Sequence, residues 1–290
     1  MMLADAILGP FLEFAFMRRA LVGCLALATG AAPVGVFLML RRMSLMGDVM
    51  AHAILPGAAV GFLLAGLSLG AMTAGGLVAG LLVAVLAGLV SRLTTLREDA
   101  SFAAFYLVSL AAGVLIVSVR GSSVDLMHIL FGSVLALDDA ALYLVSTVAT
   151  ISLLVMAVIW RGLVAECFDP GFLRSVSRAG PAVHLIFLGL VVLNLVGGFH
   201  ALGTLMVVGM MMLPAIAARF WVGQAASMIG VAFVAAVGAS IGGLLLSYHV
   251  NLPPGPAIIL MAGAFCVFSM LAGARSGALA RLWRHGHLQS

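Results

Sequence analysis

The chain has 290 residues, 64% of them hydrophobic and only 8% charged, with a net charge of +4 and a mean hydropathy of +1.27. That balance excludes a soluble globular domain, and three scattered cysteines (Cys24, Cys167, Cys266) exclude a disulfide or cysteine–metal framework. What remains is an all-α polytopic membrane protein, read as one integral domain over residues 1–290.

Taken in chain order, residues 1–19 read as an interfacial segment, with 3–16 a surface helix or part of an additional crossing. Met17-Arg18-Arg19 before an apolar run imitates a signal peptide, but further apolar runs follow at once. Runs approaching the roughly 20 residues that cross the hydrocarbon fall at 20–40, 46–69, 71–91, 100–119, 139–160, 182–197, 201–219, 228–247 and 256–273, which predicts eight or nine transmembrane helices. The stretch 125–137 is too short to span and reads as re-entrant or interfacial. Residues 275–290, with His285 and His287, form a polar tail, cytoplasmic in the orientation that follows.

All 14 basic residues are arginine. A cytoplasmic carboxyl terminus puts Arg41, Arg42, Arg92, Arg97, Arg161, Arg174, Arg178, Arg219, Arg275, Arg281 and Arg284 inside and leaves Arg18, Arg19 and Arg120 outside, the arrangement the positive-inside rule selects. The positive charge thus reflects topology, and no aromatic-interleaved basic patch suggests nucleic acid.

The second span carries the chemistry. In Arg41-Arg42-Met43-Ser44-Leu45-Met46-Gly47-Asp48-Val49-Met50-Ala51-His52-Ala53-Ile54-Leu55-Pro56-Gly57, Asp48 and His52 stand at i and i+4 and share one helix face. At 1.5 Å per residue they lie roughly 9 and 15 Å beyond Arg42. An ionisable group near mid-bilayer costs roughly 2.5 to 3.5 kcal/mol on insertion scales, so such groups line bundle interiors or water-filled paths. A carboxylate with an imidazole suits a divalent transition metal, and Pro56-Gly57 loosens the helix where backbone can line a cavity. The alternative is a pair bonded within the bundle for its own sake.

This motif closely resembles the opening block of the ABC-3 family, the zinc, manganese and iron permeases of bacterial ABC importers. The resemblance continues through Arg97-Glu98-Asp99-Ala100, Asp125-Leu126-Met127-His128-Ile129-Leu130-Phe131-Gly132, the Gly203–Pro214 run with Leu213-Pro214-Ala215-Ile216-Ala217-Ala218-Arg219, and Pro254-Gly255-Pro256. It implies a permease of the metal-chelate/vitamin B12 type in the bacterial cytoplasmic membrane, with Asp48 and His52 as metal contacts. It also implies a second copy of the chain, a cytoplasmic ABC ATPase and an extracytoplasmic metal-binding protein as partners, and no resident cofactor. The transported ion reads as zinc first, with manganese second and iron third. A proton-coupled secondary carrier is the alternative class, since it too would use a buried Asp and His.

The chain contains no lysine, so the Gly-x-x-x-x-Gly-Lys-Ser/Thr phosphate loop is missing and ATP hydrolysis belongs to another subunit. The surface for that subunit is expected at Pro214 to Gln224. There Pro214 ends a helix pattern, Ala215 to Phe220 can form a short helix, and Gly223 permits a turn. Family resemblance places the coupling helix on these residues, with Pro214, Ala215, Ala217, Ala218 and Arg219 as its contacts.

Secondary metal contacts are open at Asp125 and His128, spaced i and i+3, and at His200 after Gly197-Gly198-Phe199, beside the reading of each as an ordinary polar residue. His249 reads like His200. Glu98 and Asp99 read as acids at a helix start. Met206 and Met210 to Met212 read as packing rather than soft-metal ligands, and Gly76-x-x-x-Gly80 and Gly238-x-x-x-Gly242 as close helix contacts. Gly238-x-Ser240-x-Gly242 matches a nucleophile elbow only formally, because it lies inside an apolar helical run.

Overall fold

In hydrocarbon no water is present to bond a free N–H or C=O, so a spanning segment must satisfy its own backbone, and this composition does so as helices. A computed structural model of the protein describes residues 2–66, 68–119, 134–168 and 180–278. The helices are α1 Met2–Glu13, α2 Ala15–Leu40, α3 Met46–Ala53, α4 Leu55–Ala65, α5 Leu69–Leu93, α6 Glu98–Val119, α7 Asp139–Phe168, α8 Gly180–Leu202, α9 Thr204–Arg219, α10 Ala225–Val250 and α11 Pro254–Ala272, with one 3₁₀ turn at Val134–Ala136.

Eight spans among the described residues are long and apolar enough to cross a membrane, α3 and α4 together making one of them. The ninth predicted crossing is α9, whose 16 residues rise only about 24 Å. It still returns the chain from one end of the bundle to the other. Its first turn follows the end of α8, and the carbonyl of Phe220, just past its last turn, accepts from the Arg275 N–H at 3.0 Å. A short helix suffices because α9 is enclosed by α2, α8, α10 and α11 and need not match the lipid.

The two ends of the bundle differ as the arginine count predicts. Arg41, Arg97, Glu98, Glu166 and His184 gather at one end. At the other, Arg19 pairs with Asp139 at 3.1 Å. Helices α2 and α8 form the centre, each with 72% of its apolar window buried. Phe37 of α2 meets Trp160 of α7 edge-on at 5.4 Å and Phe187 of α8 at 6.3 Å. Asn194 of α8, 2% exposed, donates to Ser152 Oγ of α7 at 2.7 Å and to the Leu190 carbonyl at 2.8 Å. Such a bond between helices is worth on the order of 0.6 to 2 kcal/mol in a bilayer.

Three sequence readings are corrected. The chain does not break at Gly197-Gly198. Helix α8 runs on to Leu202 with His200 inside it, and the turn comes at Gly203, whose φ of 88° suits glycine. Pro214 does not end a helix but lies within α9, buried, where the neighbouring helices hold it. Of the expected glycines Gly80 does sit tight, against Val192 and Ile54, but the approaches to neighbouring backbone lie one position away: Gly75 of α5 faces Gly57 of α4, and Gly243 of α10 faces Ile258 of α11.

Met206, Met210, Met211 and Met212 are all buried, as packing requires. Ser240 is buried in mid-α10 and donates to the Ala236 carbonyl at 2.8 Å, which leaves it no exposed nucleophilic oxygen.

A methyl group at Gly75 would stand 2.1 Å from the Gly57 carbonyl oxygen, and backbone cannot yield as a side chain would. Gly75→Ala is expected to destabilise by about 1–3 kcal/mol, lowering the thermal unfolding midpoint in detergent. Gly70→Ala, with nothing within 4 Å of the added methyl, should leave it unchanged or slightly raised.

Candidate functional site

The second span is interrupted at Ile54. Pro56 supplies no N–H to the carbonyl four residues back, that of His52, and its ring crowds that turn, so the helix restarts at Leu55. The break is supported from α6: Ser109 Oγ donates to the Ala53 carbonyl at 2.9 Å. Gly113 of the same helix lies under Pro56, where an added methyl would stand 3.2 Å from the proline nitrogen. On the far side, α4 packs onto α5 backbone to backbone through Gly57 and Gly61.

Asp48 and His52 end up together on α3. His52 Nε2 lies 3.7 Å from Asp48 Oδ1, too far for a hydrogen bond. The Asp48 side chain is 66% exposed and that of His52 26%, so the pair opens outward from the protomer. His52 Nδ1 is buried and meets no hydrogen-bond partner. The imidazole lies against the Tyr106 ring of α6, centroids 5.8 Å apart and tilted by 40°.

Asp125 and His128 lie outside the described residues, and His200 sits in the last turn of α8. His249, in the last turn of α10, faces Tyr248 edge-on at 5.2 Å. No group of three or more His, Cys, Asp or Glu among the described residues could hold a metal ion within one protomer.

In the expected coupling stretch, Pro214, Ala215, Ala217 and Ala218 are buried, and Arg219 is exposed. Ala215 and Ala218 pack on Ala32, Val36 and Met39 of α2. The turn beyond is moored to α11: Trp221 Nε1 donates to Ser269 Oγ at 2.9 Å, and the Arg275 guanidinium occupies the space a side chain at Gly223 would need.

A second charged site went unnoticed in the sequence. Arg41, at the C-terminal cap of α2, donates from Nη2 to Glu166 Oε1 of α7 at 3.0 Å and to His184 Nδ1 of α8. Since Arg41 can only donate, Nδ1 is the acceptor, and Nε2 on the other side of the ring lies 2.8 Å from Glu98 Oε1 of α6. Glu98 is therefore more than an acid at a helix start. These groups line a cavity of about 1030 Å³ together with Arg42, Arg97, Asp99 and Cys167. The signal available in the sequence was a glutamate and a histidine set inside apolar runs.

The ABC 3 transport family model matches residues 13–273. The chain belongs to the ABC 3 transport family. It is 33% identical to the manganese import system permease protein ScaB of Streptococcus parasanguinis, over 89% of this chain and 90% of that one. It is 30% identical to the chelated iron transport system membrane protein YfeD of Yersinia pestis, over 93% and 89%. Among solved structures it superposes on PsaBC from Streptococcus pneumoniae, in complex with Fab, with a TM-score of 0.82 at 29% identity, covering 97% of this chain and 98% of that one. The all-α fold is thus that of ABC permeases, and the chain is a multi-pass protein of the cytoplasmic membrane.

Arg41 and Glu166 are 9% and 14% exposed, and removing one member of a buried pair strands the other. Arg41→Ala is expected to lower stability by about 3–5 kcal/mol, whereas Arg41→Met with Glu166→Met should recover most of it. Thermal unfolding of the purified permease in detergent checks both.

Proposed function

We propose that this permease subunit carries a divalent transition metal into the cell, with manganese the favoured ion, and that Asp48 and His52 are the protein groups that handle it in passage. The observation that carries the reading is an acid and an imidazole one turn apart, 3.7 Å between Nε2 and Oδ1, on a broken transmembrane helix of an ABC-3 permease. Metal bonds of about 2.1 Å to each atom reach across that gap, which no hydrogen bond fills.

Manganese takes precedence over the zinc expected from the motifs. The relatives in Streptococcus parasanguinis and Halalkalibacterium halodurans are named for manganese import and manganese transport, and a carboxylate with water as further ligand suits manganese as well as zinc. YfeD is named for chelated iron, which keeps iron third in line.

Two ligands per protomer make a weak site, and transport needs an ion that both enters and leaves. The exposure of Asp48 supports a second copy of the chain facing it, with water or the equivalent pair completing the coordination. In this reading an extracytoplasmic binding protein delivers the ion and a separate cytoplasmic ATPase supplies the work. That ATPase would press on the exposed turn from Arg219 to Gln224, while the buried Pro214, Ala215, Ala217 and Ala218 pass the push to α2 through their packing. The site takes no resident cofactor.

Asp48→Ala is expected to abolish manganese uptake in cells at normal expression and assembly, and wild-type accumulation in that variant would refute the ligand assignment. Competition between manganese and zinc in the same uptake assay decides the ion. Proteoliposomes containing this chain alone, under a pH gradient, should take up no metal; uptake there would select the proton-coupled carrier instead.

A further inference from the structure

We propose that Glu98 and His184 are positioning residues for transport: through α6 they hold the Asp48–His52 station in register from the arginine-rich end of the bundle. This rests on the reading of Asp48 and His52 as metal ligands, and the experiment below separates its failure from the failure of that reading.

Helix α6 is the back wall of the station. Tyr106 lies against the His52 imidazole and Ser109 holds the Ala53 carbonyl, so a shift of α6 along or about its axis moves the ligand-bearing turn. Yet α6 is the least embedded of the eight spans, with 22% of its window buried against 72% for α2 and α8. It packs chiefly on α3, α4 and α5. None of these belongs to the central pair.

Phe102 is buried in the main core, and the polar tie of α6 to the centre is made by its first residue. Glu98 meets His184 of α8, and His184 meets Arg41 at the end of α2, which holds Glu166 of α7. Four helix ends are thereby joined through one buried imidazole, about 12 Å along α6 from Tyr106 and about 16 Å from Ser109 at 1.5 Å per residue.

A tie made only for stability would be better apolar, because burying charges loses as much as pairing them returns. This one is also incompletely satisfied: Arg41 Nη1 and Glu166 Oε2 are buried without hydrogen-bond partners. What the polar arrangement provides is direction. Arg41 can only donate to Nδ1, and Nε2 lies 2.8 Å from Glu98 Oε1, so the imidazole is held between the end of α2 and the start of α6. Arg41 itself sits five residues before α3 begins, so one network indexes both the helix that carries the ligands and the helix that backs them.

The experiment uses the assembled permease–ATPase complex in lipid nanodiscs and measures Mn²⁺ binding without nucleotide. Glu98→Gln and His184→Ala keep both metal ligands, and we expect them to weaken Mn²⁺ binding by about tenfold or more, as loss of an outer partner does at metal sites. His184→Gln offers one acceptor and one donor at the same reach and should restore most of the affinity, which a bulk packing role would not predict. If His184→Ala fails to assemble, Glu98→Gln and His184→Gln decide the matter. Wild-type Mn²⁺ affinity in an intact Glu98→Gln complex would overturn the inference. Asp48→Ala, run in parallel, tests the station itself: if that variant binds Mn²⁺ normally the ligand reading fails, and if it alone loses binding the ligand reading stands and the positioning role does not.

Discussion

A proline at position 56 denies the His52 carbonyl its ordinary helical donor, and much of the molecule is arranged around that loss. In a bilayer an interrupted backbone is tolerable only where protein or water surrounds it. Here α6 comes in on one side, Gly113 under the proline ring and Ser109 bonded to the Ala53 carbonyl. On the other, α5 approaches α4 so closely that Gly57, Gly61 and Gly75 leave no room for a methyl group. The break is therefore enclosed by neighbours, and the acid and imidazole just before it are presented at its mouth.

Charge follows the same economy. The exposed arginines lie at bundle ends, where water solvates them, while the charged groups drawn inward are held by partners: Arg41 by Glu166 and His184, and His184 by Glu98. Asp48 is the exception. It is open at the protomer surface with only a distant imidazole beside it, and an uncompensated carboxylate at membrane depth is costly enough that a cation or an aqueous path is its natural surroundings. A closed network at one end thus contrasts with an open pair further in, which the proposed function takes as the working site.

The ABC 3 family likeness and the geometry reinforce one another without being interchangeable. Family membership makes the chain a permease, and the relatives named for manganese are the ground on which manganese is proposed ahead of zinc. The geometry adds what kinship does not: among the described residues no third His, Cys, Asp or Glu joins Asp48 and His52 as a metal-holding group, and the turn beyond α9 is braced by Ser269 of α11 and by Arg275 just past its end rather than standing free.

Sequence alone determined the helical class, nearly every crossing, the two-ended arginine distribution and the Asp48–His52 pair, because those depend on hydropathy and on the 3.6-residue repeat, both local properties. It misjudged local punctuation wherever packing outweighed it: Pro214 stays inside α9 and Gly197-Gly198 inside α8 because neighbouring helices need the small profile or fill the gap. The glycine stripes were legible, and Gly80 does meet Val192 and Ile54 at close range, but the members that meet neighbouring backbone, Gly75 and Gly243, were one residue away, since the crossing of two helices selects which glycine meets backbone. Only the tertiary structure could join Arg41, Glu98, Glu166 and His184, which come from four helices as far as 143 residues apart, because a buried charge chooses its partner by proximity in space, and no periodicity along the chain records that choice.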